Sequence, residues 1–112
     1  MANIFTRKNS REITTSPTKI GSYSVGASTI ATVIGLSVAN KTANTVTANV
    51  YLSDNTNAVT GNTYIAYNTT IVAGGTLIIA GGDQKLVLIP GDSIVVQSTG
   101  NVDANMNVLE IS

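Results

Sequence analysis

The chain has 112 residues, of which 43% are apolar and only 11% charged, with six basic and six acidic side chains, no cysteine and no histidine. That length suits one domain with one core, and the charged share is well below that of ordinary soluble globular domains. Lack of Cys and His excludes disulfides, thiolate metal sites and Ser-His-Asp or Cys-His catalysis, and a formal net charge of zero gives no electrostatic reason to expect a nucleic-acid partner.

Residues 1–17 (MANIFTRKNSREITTSP) differ from the rest of the chain. Arg7, Lys8 and Arg11 are half of all the basic residues and stand among Asn, Ser and Thr without sustained periodicity. The expectation is an extended N-terminal arm, 1–17, preceding a domain at 18–112. Ile4 and Phe5 would be its apolar anchor on a neighbouring subunit, and Arg7, Lys8 and Arg11 its charged contacts. The arm has no apolar h-region of a secretory leader, and no run in the chain approaches the roughly 20 apolar residues of a membrane-spanning helix.

Pro17 pushes Ser16 toward extended geometry and opens a body that reads as strands throughout. Residues 19–25 (KIGSYSV) are the first, and 29–40 (TIATVIGLSVAN) the clearest. Period-2 alternation there puts Ile30, Thr32, Ile34, Leu36 and Val38 on a core face. The small residues Ala31, Val33 and Ala39 then form a candidate oligomer face, with Gly35 a candidate bulge or bend. After a loop at 41–45, residues 46–53 (VTANVYLS) alternate with Val46, Ala48, Val50 and Leu52 inward. A polar loop at 54–62 leads to a strand over 63–72 that breaks near Asn68. Three short aliphatic runs come next, at 76–80, 85–89 and 93–97. They are cut by Gly81-Gly82-Asp83 and Pro90-Gly91-Asp92, whose glycines and proline supply the dihedral angles of tight turns. Residues 104–111 (ANMNVLEI) close the chain.

Threonine favours pleated surfaces, whereas Asn and Gly favour turns, and the long helix-forming side chains are scarce. The expected fold is all-β, an antiparallel β-sandwich or jelly-roll-like barrel of about eight strands. Its expected core includes Ile30, Ile34, Leu36, Val50, Leu52, Leu86, Leu88, Ile94, Val96 and Val108.

Catalytic chemistry is sparse. Ser16 and Lys19 have Ser-x-x-Lys spacing, but they flank Pro17, which does not suit the helical turn on which that motif works. Of the five acidic residues from Asp54 onward, four lie in turn-like contexts where carboxylates cap backbone amides. Asp54-Asn55-Thr56-Asn57 starts like a calcium loop, yet the alternating oxygen ligands stop at Ala58 and no bidentate Glu follows at the right distance. The paired glycines lack phosphate-loop spacing. Tyr64 and Tyr67, beside the polar 54–62 loop, could form a stacking platform for a sugar. No enzyme, cofactor, metal or small-molecule substrate is expected.

At TIATVIGLSVAN, GGDQKLVLIPGDSI and the closing NVLEI, the chain resembles small virion structural proteins of tailed bacteriophages, notably those infecting cyanobacteria and related hosts. The match covers most of 17–112 and rests on turn and strand positions, namely Gly81, Gly82, Asp83, Pro90, Gly91 and Asp92, which are scaffold and not an active site. The resemblance implies a β-sandwich in a symmetric homo-oligomer within the virion, touching the major capsid protein or other virion proteins. The expected role is that of a capsid decoration (cement) subunit. The alternatives are a neck or tail-associated ring protein or, from another class, a carbohydrate-binding adhesin-type module.

Overall fold

The computed structural model describes residues 3–54, 62–81 and 84–112. Gly82, Asp83 and most of the polar loop after Asp54 lie outside the described residues. The described chain is a two-layer antiparallel β-sandwich of nine strands, in the order β1 (Asn3–Ile13), β2 (Thr18–Lys19), β3 (Ile30–Asn40), β4 (Val46–Ser53), β5 (Asn62–Ile71), β6 (Thr76–Ala80), β7 (Leu86–Leu88), β8 (Ser93–Ser98) and β9 (Val102–Ile111). One sheet runs β1-β9-β3-β6, with β7 also on β3, and the other runs β2-β8-β4-β5. The expected all-β sandwich is therefore what the chain forms. The expected first strand is curtailed: only β2 pairs, and Ile20–Ser22 makes a single 3-10 turn. Gly21 stands there at φ 61°, and a Cβ on it would sit 2.8 Å from Lys8 Cβ, so β1 crosses this turn only because the position is glycine.

The N-terminal segment is not a free arm. Asn3–Ile13 hydrogen-bonds along β9, from Asn3 opposite Ile111 to Ile13 opposite Val102. The charge cluster that made it look separate belongs to an edge strand, where basic side chains are a common protection against unwanted pairing.

The clean alternation expected for β3 fails at one point. Val33 lies opposite Val108 and Leu36 opposite Met106, but Ile34 and Gly35 share the single position of Asn107. This bulge adds one residue to β3 and inverts the side-chain phase beyond it. The buried set becomes Ala31, Val33, Leu36 and Val38, while Ile30 is 41% exposed and Ile34 only half-buried. Ile30 and Ile34 are thus not the core residues the periodicity implied. Ala31 and Val33, expected on an oligomer face, are fully enclosed.

Between the sheets, Leu36, Val38, Met106 and Val108 of the first layer belong to one cluster with Ala48, Val50, Ile94 and Val96 of the second. Leu52 and Leu86 pack at its margin. The cluster is closed at one end by Asn40. Its buried amide nitrogen donates to the carbonyls of Asn44, Ile71 and Val72 at 2.8–3.0 Å, and its oxygen accepts from the Thr42 backbone N–H and hydroxyl. Satisfied in this way, a buried amide fixes a corner that an apolar residue could not. At the other end Pro90-Gly91 forms a turn with the features of type II: Gly91 has φ 92°, and the Asp92 N–H returns to the Ile89 carbonyl at 3.0 Å. Asp92 is buried, and its carboxylate accepts the Ile89 N–H at 2.9 Å.

The phase inversion makes neighbouring substitutions diverge. Leu36→Ala should lower stability by about 2–5 kcal/mol, as expected for a closed core site, whereas Ile30→Ala should cost under about 1 kcal/mol. Urea unfolding midpoints of the two variants check this; equal losses would mean that the strand alternates without interruption.

Candidate functional site

The described surface is organised by the outer faces of the two sheets, and that of the five-stranded sheet gathers four of the eight residues singled out as contacts, Phe5, Arg7, Arg11 and Ala39. Residues directly opposite one another in a ladder point to the same side. Phe5, opposite Leu109, therefore continues through Thr32 to Val87, and Ile111 lies beside Ile30. Phe5 is 73% exposed and Val87 64%, with Ile30 completing an apolar half of the face. Phe5, Arg7, Ile34 and Asn107 line a shallow groove across it.

The other half is polar. Arg7, Asn9, Arg11, Ser37, Asp103 and Asn105 line a second depression, with Ala39 at its margin. Asp103 is anchored by structure: its carboxylate accepts the Glu12 N–H at 2.9 Å and pairs with Lys41 at 3.2 Å. That N–H points at Asp103 because β1 is also bulged, with Glu12 at φ 55° and a register shift between Ser10 and Ile13. The exposed ion pair itself contributes little. The bulge keeps Ile13 in the core at the end of an otherwise exposed strand.

The five contacts expected of the arm thus divide. Phe5, Arg7 and Arg11 lie on the outer face. Ile4 and Lys8 lie on the inner side of the same strand, opposite Glu110 and Met106 respectively. Lys8 Nζ stands 5.2 Å from the ring centre of Tyr23, within cation–π range, and the Tyr23 hydroxyl donates to Glu110 at 2.5 Å. Lys8, Tyr23 and Glu110 therefore tie β1, the segment after the 3-10 turn and β9 together, so Lys8 has an internal role that its place in a charge cluster concealed. Of the expected oligomer face only Ala39 is on the outside. Among the turn residues, Gly81 exchanges backbone hydrogen bonds with Gln84 at 2.9 and 3.0 Å, and Pro90, Gly91 and Asp92 make the type II turn at the end of the core.

Three outward apolar residues, Ile30, Ile78 and Val87, were not found by sequence reasoning. Ile30 was assigned to the wrong face by the bulge. Ile78 and Val87 sit at alternate positions of short aliphatic runs in which every residue looks like core, so period 2 carries no signal there. Among the described residues no group of three or more Cys, His, Asp or Glu side chains converges as a metal site would. No protein-family model and no curated protein matches the chain.

The Tyr23–Glu110 contact has a pH signature. Burial pushes the Tyr23 phenol up, and the hydrogen bond to Glu110 and that residue's negative charge push it further. Burial, with a smaller contribution from Tyr64, also raises Tyr51. The folded state therefore holds these protons more tightly than the unfolded chain. Their stabilising contribution is complete below the ordinary tyrosine pKa of about 10 and declines as pH rises above it. Urea midpoints measured from pH 8 upward should be level to about pH 10 and then fall. Tyr23→Phe should be less stable at pH 8 by about 1 kcal/mol and fall less steeply above pH 10, Tyr51 supplying the remainder. Identical slopes for the two proteins would contradict the assignment.

Removal of residues 1–12 should act on the fold as well as on any contact. It strips β1 from β9, uncovers the Met106 and Val108 side of the core and breaks the Lys8–Tyr23 contact. The truncated chain should unfold at clearly lower urea than the full chain, and an unchanged midpoint would show that β1 adds nothing to the domain.

Proposed function

We propose that the protein is a non-enzymatic structural subunit of a tailed-bacteriophage virion, most simply a capsid decoration (cement) subunit. In this reading it docks through the outer face of its five-stranded sheet onto neighbouring major capsid protein subunits. The observation that carries the reading is the composition of that face. An apolar half with Phe5, Ile30 and Val87 exposed, Phe5 and Val87 being joined across the sheet through Leu109 and Thr32, adjoins a polar half containing Arg7, Arg11 and Asp103, a pairing of apolar contact area with polar margin that suits a protein partner. The resemblance to small virion proteins supports the same reading. So does the 11% charged share, since a neutral hydroxyl and amide surface has little protection against association.

Two features fit a role in bridging subunits. Among the described residues β1 is hydrogen-bonded on one side only, to β9, and a strand added at its other edge would have to bring acidic or polar side chains to Arg7 and Arg11. The second sheet lies on the opposite side of the sandwich from the docking face and would look outward from a shell. A homo-oligomer on the particle would use the same face or edge. A neck or tail-associated ring would use them equally well, and copy number separates these positions. Decoration requires copies in proportion to the major capsid protein, whereas a ring requires a few.

The test uses intact particles and purified protein. Quantitative mass spectrometry of purified virions should find this chain in proportion to the major capsid protein. Val87→Lys and Phe5→Lys place charges on exposed positions, so both variants should unfold at wild-type urea concentrations while their binding to capsids lacking the protein falls by about tenfold or more, or roughly 1.4 kcal/mol. Absence of the chain from virions, or undiminished binding by both variants, would contradict the proposal.

A further inference from the structure

The outer face of the other sheet has a different chemistry, and a backbone irregularity creates it. Along a regular strand, residues three apart point to opposite faces. Tyr64 and Tyr67 are three apart on β5 and yet on the same face. β5 carries extra residues relative to β4: Val50 pairs with Ala66 while the next residue, Tyr51, pairs with Tyr64, which leaves Ile65 unmatched, and Asn49 alone spans both Tyr67 and Asn68. Asn68 takes φ 47°, and its N–H donates to the Asn49 side-chain oxygen at 2.7 Å, which holds the second bulge in place. The outcome is a three-tyrosine cluster, with Tyr51–Tyr64 and Tyr64–Tyr67 ring centres each 5.0 Å apart and the second pair perpendicular. Tyr51 is buried beneath it, Tyr64 is half exposed and Tyr67 is 67% exposed.

Beside the cluster lies a groove lined by Asn49, Asn68, Gln97, Thr15, Thr47 and Thr99, with no charged side chain among the described residues of its walls. The groove is held open by its own hydrogen bonds. Gln97 Nε2 donates to the Thr15 carbonyl at 2.7 Å, and the Thr47 N–H donates to the Thr99 hydroxyl at 3.0 Å. Lys19, on the same sheet beyond β8, is turned to the Ser24 hydroxyl.

We propose that the Tyr64–Tyr67 platform and the adjoining Asn49–Gln97 groove bind a neutral oligosaccharide. Tyr64 packs against both other rings and Tyr67 edge-on against Tyr64, so exposed rings partly fixed in advance offer a flat surface to the C–H face of a sugar ring at reduced ordering cost. The amides and hydroxyls alongside can both donate to and accept from sugar hydroxyls. An uncharged lining favours an uncharged ligand, since nucleic acids and sulfated polymers are held mainly by cations. A peptide would call for an apolar groove or a free edge, whereas this surface is amide-rich and lies on the face of a sheet. The inference does not depend on the virion reading, because the two surfaces are on opposite sides of the sandwich.

The test is binding of the full chain to immobilised hexasaccharides of glucose, mannose and galactose, with a sulfated polysaccharide as the charged comparison. Wild type should be retained by at least one neutral glycan and not preferentially by the sulfated one. Tyr67→Ala should weaken that binding by about tenfold or more, the scale of one lost stacking contact (roughly 1.4 kcal/mol). Tyr64→Phe keeps the ring and the fold and should retain most of the affinity. Phe5→Ala, on the opposite face, should leave glycan binding unchanged while capsid binding is lowered. Retention by none of the neutral glycans, or retention that Tyr67→Ala does not alter, would overturn the inference. Loss of capsid binding in Tyr67→Ala without glycan retention would instead make this face a protein contact.

Discussion

Residues inserted into one strand but not into its neighbour control this molecule. Three of the bulges each keep two residues, three apart in sequence, on the same side of a sheet: Ser10 and Ile13 inward on β1, Val33 and Leu36 inward on β3, and Tyr64 and Tyr67 outward on β5. The bulge at Ile34 governs most, because β3 lies between β9 and the β6–β7 pair and contributes to the core at both of its ends. With no extra residue there, Ala31 and Val33 could not face the core together with Leu36 and Val38. One half of the strand would present its aliphatic side chains to solvent, and a fully buried aliphatic residue is worth about 1.5–3 kcal/mol relative to an exposed one.

The same irregularities divide the surface. On the five-stranded sheet, the β3 bulge leaves Ile30 and Ile34 outside, where they join Phe5 and Val87 in an apolar area that a monomer has no folding reason to keep. On the four-stranded sheet, the β5 bulges stack tyrosines beside amides. The first surface is suited to a large apolar contact and the second to a neutral polar ligand. A subunit fixed to a shell by one face and touching sugars by the other would use both. The edge strand β1 links these roles to stability, because Lys8, Tyr23 and Glu110 make it part of the domain while Phe5, Arg7 and Arg11 remain available on its outer side.

The fold class was legible because strand signals are local: β-branched runs of about five residues separated by Gly and Pro turns specify antiparallel layers whatever the details of pairing. Val46, Ala48 and Val50 alternated as their sequence implied, and Ile94 and Val96 are buried as expected of core residues. What the sequence concealed was phase. Gly35 hinted at a bulge, but which residue was doubled, and therefore which side of Ile30 and Val33 faced inward, is decided by pairing with Asn107, some seventy residues later. The N-terminal strand was missed for a related reason. An edge strand exposes most of its side chains, so NIFTRKNSRE shows no hydrophobic period, and its partner β9 lies at the far end of the chain. For the surfaces, Phe5, Arg7 and Arg11 were recognised by composition alone, and the two tyrosines by proximity to a polar loop. Their arrangement on opposite faces depended on bulges that no local pattern announces.

The inverted phase of β3 can be measured directly, because the chain has no cysteine of its own. Single substitutions to Cys at each position from Ile30 to Ala39 except Gly35, probed by thiol labelling under native conditions, report which side of the sheet each position faces. Labelling should be rapid for Ile30→Cys, Thr32→Cys, Ile34→Cys, Ser37→Cys and Ala39→Cys. It should be slow until unfolding for Ala31→Cys, Val33→Cys, Leu36→Cys and Val38→Cys. A reactivity pattern that alternates without a break, with Val33→Cys labelled and Ile34→Cys protected, would contradict the bulge, and with it the outer face proposed as the docking surface.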